Sequence, residues 1–166
     1  MLQGIILTLT LLSANTPEQA ILDTWSAIQD GSPQLFLSTL TPECCENIQR
    51  ICSDYLEAMK TLNSTQLGEL FASFRLEAAP GEIEFWNSTA VLEMLISSPE
   101  HHQTINTCTM TIDSIQTAQN TARAFVTINN PHDELTTFEL TLTASPLGWQ
   151  TEGLESIAET IMDIDN

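Results

Sequence analysis

Basic side chains are scarce in this chain of 166 residues: Arg50, Lys60, Arg75 and Arg123 stand against 22 acidic residues, for a formal net charge of −18. Phosphate backbones and anionic lipid surfaces are held by clustered lysine and arginine, so nucleic acid and anionic membrane surfaces are excluded as partners. No apolar run reaches the roughly 20 residues that a membrane-spanning helix needs. A Gly-rich phosphate loop, a nucleophile elbow and an H-E-x-x-H motif are all missing, and no cofactor is expected. Apolar residues are not scarce. At 42% they exclude a low-complexity disordered chain, and the length suits one domain with a real core. The acidity fits solubility or a saline habitat, or else a basic partner. It is densest in the tail, at Glu152, Glu155, Glu159, Asp163 and Asp165.

Residues Leu2 to Ala14 form the longest apolar run, LQGIILTLTLLSA. Its length suits the hydrophobic region of a signal peptide cut near Ser13–Ala14, although no lysine or arginine precedes it. The chain then reads as a possible leader over 1–14 and one domain over 15–166, secreted or periplasmic. The rival reading is a buried first strand or helix in a cytoplasmic protein. Four cysteines occur, Cys44, Cys45, Cys52 and Cys108. Cys45 and Cys52, seven apart on one helix, lie roughly 10 Å apart and beyond disulfide reach. A bridge would therefore join Cys108 to Cys45 or Cys52. The alternative is buried thiols. Zinc is disfavoured, because no C-x2-C knuckle is present.

Three start signals punctuate the first half: Thr16-Pro17, Ser32-Pro33 and Thr41-Pro42 each place a hydroxyl at the N-cap and proline at the first helical position. Thr16 with Gln19 also fits a capping box. Helices are predicted from about 17, 33 and 42, the third carrying Ile48, Ile51, Cys52, Tyr55, Leu56 and Met59 on one face. Further helices are predicted after Asn63 and over 88–97. Asn63-Ser-Thr and Asn87-Ser-Thr match the glycosylation sequon, but both serve better as helix caps. Beyond His102 the period changes to 2. Strands are predicted around 107–113, 121–128, 137–143 and 149–152, with a short acidic helix over 154–165. Helices followed by a strand meander argue for α+β, with N-terminal helices packed on one face of an antiparallel sheet of about four strands.

The segments Thr16 to Trp25, Asp30-Gly31, Leu37 to Glu43, Thr121 to Val126, Leu140 to Leu142 and Gly148-Trp149 together resemble the nuclear-transport-factor-2-like group of the cystatin-like superfold. The resemblance spans about residues 16–157 and rests on structural motifs. It implies a cone between helices and a curved sheet, and on that fold Trp25 and Trp149 should both be mostly buried in one core between the sheet and the first helix. Some members of that superfold are ketosteroid-isomerase-like or dehydratase-like enzymes with an Asp, His or Tyr inside the cone. Others are extracytoplasmic domains of unassigned function, so the resemblance bears on fold more than on activity.

In-register hairpins would align Met110, Ala124 and Leu140, then Ile112, Ala122 and Leu142, then Cys108, Val126 and Phe138. This inner face offers no acid or base for proton transfer. Asp23 and Tyr55 are the helical candidates for the cone, Asp23 on a solvated face and Tyr55 in the apolar stripe. His101-His102 is expected in a connection, and His132 at a hairpin tip. The opposite sheet face is rich in threonine, with Phe125 beside Arg123, and with Asp113 and Glu139 diagonal to Arg123. Such a face is either plain solvated sheet or a docking surface with Phe125, Arg123 and Glu139 at its centre, most simply for a homodimer. The sequence thus points to a non-catalytic extracytoplasmic binding or assembly domain. The alternative is an enzyme working on a small apolar substrate in the cone.

Overall fold

The structure, a computed structural model, describes residues 14–131 and 135–152. Most of the apolar N-terminal run, His132 and the expected 154–165 helix lie outside the described residues. Among the described residues six helices precede the sheet: α1 (Pro17–Gln29), α2 (Pro33–Ser38), α3 (Pro42–Lys60), α4 (Ser64–Ser73), α5 (Ser88–Ser97) and α6 (Pro99–Ile105), with a 3-10 turn over Pro80–Phe85. The Thr-Pro and Ser-Pro signals start the helices where expected. Thr16 Oγ1 accepts from Gln19 N at 3.1 Å, and Thr41 Oγ1 accepts from Cys44 N at 3.3 Å. These bonds satisfy amides that a helix start leaves without partners. The capping box at Thr16 is only half made, because the Gln19 amide donates to Asp23 Oδ1 at 2.7 Å instead. A complete box forms at Asn63, whose Oδ1 accepts from Thr65 N and Gln66 N while Gln66 Oε1 accepts from Asn63 N. Asn87 Oδ1 accepts from Ala90 N, so both sequon asparagines cap helices.

Four antiparallel strands follow in the order β1 (Thr109–Ala118), β2 (Thr121–Asn129), β3 (Thr136–Ser145) and β4 (Gly148–Glu152). The β2–β3 register is the expected one: Ala122 faces Leu142, Ala124 faces Leu140 and Val126 faces Phe138. The β1–β2 register is not. Met110 faces Ile128 and Ile112 faces Val126, so β1 is slid relative to the rows derived from alternation. Two local features set the slide. The hairpin turns tightly at Gln119-Asn120, with Gln119 at φ +55°, and this carries β1 through to Ala118. A β-bulge at Asp113 then resets the parity between Ile112 and Ser114. An inserted residue allows Ile112 and Ile115, three apart, to point to the same side. Cys108 precedes the strand and joins no row.

Helices cover one face of this sheet. α1 touches both edge strands, β1 and β4, and α3 packs on α5 and β4. Ala124, Leu142, Val91, Phe71 and Met59 are buried where these layers meet, each large side chain contributing about 1.5–3 kcal/mol relative to exposure. The outer edge of β4 is also engaged. Trp149 N donates to the Ala14 carbonyl at 3.0 Å, Thr151 N to Thr39 O at 2.9 Å, and Thr41 N to Thr151 O at 3.1 Å. Both tryptophans are mostly buried, as expected, but they do not share one core: Trp149 packs against the core cluster, while Trp25 lies off it. The buried stripe of α1 runs through Ala20, Ile21, Thr24 and Ala27. Position 25 sits about 100° round the helix from Thr24.

Candidate functional site

On the outer sheet face, Arg123 Nε lies 3.1 Å from Glu139 Oε1, with both side chains substantially exposed. Glu139 stands opposite Phe125, and Arg123 opposite Thr141, so the pair is diagonal as expected. Asp113 does not join it. The slid register brings Asp113 to Thr127, whose hydroxyl donates to Asp113 Oδ2 at 2.6 Å. Thr127 Oγ1 is also 2.9 Å from Thr137 Oγ1. With the Thr127 proton on Asp113, Thr137 is the donor of that second bond. Phe125 points outward but is half-buried among Ser114, Glu139 and its strand neighbours. It is therefore not the most exposed aromatic of the described residues. That is Phe85, 88% exposed at the end of the 3-10 turn. A concavity of about 500 Å³ wraps the end of the β1–β2 hairpin, bordered by Gln116, Ala118, Thr121, Arg123 and Thr141.

The two candidates for the cone are not brought together. Asp23 sits at the rim of a crevice of about 40 Å³ shared with Ser38, Thr39, Trp149 and Gln150. That space is of the order of a single water and far below a substrate. Tyr55 packs half-buried against the core from α3. The inner face of the sheet is closed by Ala122, Ala124, Val126, Leu140 and Leu142.

The histidine pair is on α6, not in a connection, because Ser98 and Pro99 open a helix there: Ser98 Oγ accepts from His101 N at 3.2 Å. His101 Nε2 meets the Ile28 carbonyl at 3.2 Å. A carbonyl only accepts, so Nε2 carries the proton in the neutral ring. Burial lowers the His101 pKa from 6.5; the Ile28 bond opposes this and the neighbouring His102 adds to it. The folded state therefore resists protonating His101. Its contribution to stability is fully present above the unfolded pKa of 6.5 and is lost as the pH falls through the lowered folded value. Urea midpoints measured from pH ~7 down to pH ~5 should fall for the wild type and fall less for His101→Gln; parallel curves would remove the assignment.

No disulfide is formed: all four cysteines carry thiols. Cys45 Sγ donates to the Leu37 carbonyl and Cys108 Sγ to the Thr104 carbonyl, so neither is turned toward the other. Burial pushes the Cys52 thiol up to about 11, and burial together with Glu46 raises Cys45. Thiols held protonated are poor nucleophiles and poor metal ligands. Among the described residues no group of three His, Cys, Asp or Glu side chains is placed to hold a metal ion.

Two features escaped the sequence pattern. The first is a buried threonine cluster. Thr24 Oγ1 donates to Ala20 O at 2.9 Å and lies 2.9 Å from Thr39 Oγ1 and 3.1 Å from Thr151 Oγ1, tying α1, the segment after α2 and β4 together. Threonine reads as polar in a periodicity count, yet Thr24 falls on the Ala20–Ala27 stripe, which was the available signal. The second is a groove of about 390 Å³ beside Trp86, built within residues 76–98 by the stretch after α4, Trp86 and α5, where no single periodicity announces it. Comparison of the chain with protein-family models, with curated proteins and with solved structures gives no match.

Proposed function

We propose that this chain is a non-catalytic binding or assembly domain of nuclear-transport-factor-2-like architecture, working outside the cytoplasm, whose contact surface is the outer face of β1–β3. The observation that carries the proposal is the difference between the two faces of the sheet. The inner face is closed by packed apolar side chains against the helices. The outer face presents short threonines, an ion pair already satisfied within the chain, and the ring of Phe125. Arg123 and Glu139 are individually worth little on a solvated surface. At a contact they are cheaper to bury together than either would be alone. A second copy of the chain is the simplest partner for such a face.

Charge variants test this without touching the core. Arg123→Glu alone should abolish the dimer, because it buries two like charges. Arg123→Glu with Glu139→Arg should restore it. Light scattering on a sizing column reads the mass directly, and equal masses for all three proteins would reject the sheet face as the contact. Export is tested separately, by sequencing the N-terminus after expression in a secreting host. A mature chain beginning at Asn15 supports it, and one that retains Met1 contradicts it. Such a cut would remove Ala14, which is buried and takes the Trp149 hydrogen bond, so the trimmed chain should be less stable by about 1 kcal/mol.

A further inference from the structure

Leu76, Ala78, Trp86, Ala90 and Met94 form the apolar lining of the groove of about 390 Å³, and Glu77 and Glu93 stand in its wall. The volume falls within the roughly 300–1,000 Å³ of small-molecule sites. Trp86 is fixed there: its ring stacks on Phe71 with centroids 5.2 Å apart and planes at 24°, and Phe71 is itself fully buried. One face of the indole is thus covered by the core, while Trp86 still lines the groove.

Glu77 and Glu93 are exposed and have no cationic partner among the described residues. The four lysine and arginine side chains are engaged elsewhere: Arg50 with Asp54 at 3.5 Å, Lys60 with Glu57 at 3.0 Å, Arg75 with Glu100 at 2.8 Å and Arg123 with Glu139 at 3.1 Å. Arg75, the nearest of these in sequence to Glu77, also donates to Gln103 Oε1. The groove therefore joins an apolar lining, an immobilised indole and two uncompensated carboxylates. An anion is repelled by this wall, and a neutral apolar molecule leaves the carboxylates facing it. An alkyl chain suits the apolar lining, and a positive head suits both the carboxylates and the indole face, which attracts cations through its quadrupole.

We propose that the groove beside Trp86 binds an organic ammonium ion carrying an alkyl body. The site is separate from the outer sheet face and stands whether or not the chain dimerises there. Calorimetric titration with hexylammonium, hexanol and hexanoate tests it, because the three probes share one chain length and differ in charge. Hexylammonium should bind tightest and hexanoate weakest. Glu77→Gln with Glu93→Gln should weaken hexylammonium by about tenfold. Trp86→Phe, which keeps a ring to stack on Phe71, should weaken it by about threefold to tenfold. Glu18→Gln with Glu46→Gln removes the same net charge from exposed positions on α1 and α3 and should leave binding nearly unchanged. Three results overturn the proposal: no hexylammonium binding by the folded wild type, equal binding of hexanoate, or equal losses in the two double variants. The last would assign the binding to the overall negative field.

Discussion

Gly31→Ala is expected to destabilise the protein by about 3 kcal/mol, combining the cost of a left-handed alanine with a steric clash. Gly31 follows α1 with φ +60°. A Cβ there would lie 2.6 Å from the His102 ring and 2.7 Å from the Ile96 carbonyl oxygen. The ring could swing away, but the backbone oxygen cannot move without shifting α5. The Gly31 carbonyl is itself held by Ser97 Oγ at 2.6 Å, so the corner is clamped from both sides. Gly68 provides the contrast. It lies inside α4, and a Cβ added there meets nothing within 4 Å. Gly68→Ala should therefore stabilise by about 0.5–1 kcal/mol, the ordinary helix-propensity gain. Thermal melts of the two variants should move in opposite directions, and an unchanged melt for Gly31→Ala would contradict the close seating of the Gly31 corner against α5 and α6.

Phe71→Ala should cost about 3–5 kcal/mol, the usual range for deleting a buried aromatic ring. Phe71 is 1% exposed and supports Trp86. Its loss removes the largest of the side chains that seat α4 on the core and also frees the indole of Trp86, so tryptophan fluorescence should shift before the unfolding transition. Urea denaturation gives the energetic part. A loss below about 1 kcal/mol, the range of a surface substitution, would mean that α4 is not seated as described.

The fold was legible where local chemistry decides it. The hydroxyl-proline pairs at Thr16, Ser32 and Thr41 start three helices in place, and strict alternation in β2 and β3 sets their mutual register. Sequence reasoning failed where geometry is collective. Alternation in β1 marks a shared face only up to the bulge at Asp113 and does not fix the slide along β2, which the tight turn at Gln119 and that bulge set. The fold resemblance places Trp25 in the core, yet helix phase gives the fully buried position to Thr24. Of the candidate contact residues, Arg123 and Glu139 do pair, since both lie on strands whose register was read correctly. Asp113 was lost to the same slide that moved β1. The groove beside Trp86 is assembled from three separate segments, and no periodicity within any one of them announces it.

The measurement that bears most directly on a contact through the outer sheet face is sedimentation velocity at low and high salt for the wild type and Phe125→Asp. Two copies each carrying −18 repel at low ionic strength, and at 0.1 M salt that repulsion is screened beyond about 10 Å. A dimer formed through threonine and Phe125 should tighten as salt rises, whereas a complex held by charge would loosen. Phe125→Asp should remain monomeric at both concentrations with its melting temperature little changed. A wild type that stays monomeric throughout, or a dimer that Phe125→Asp leaves intact, would contradict the assignment of this face.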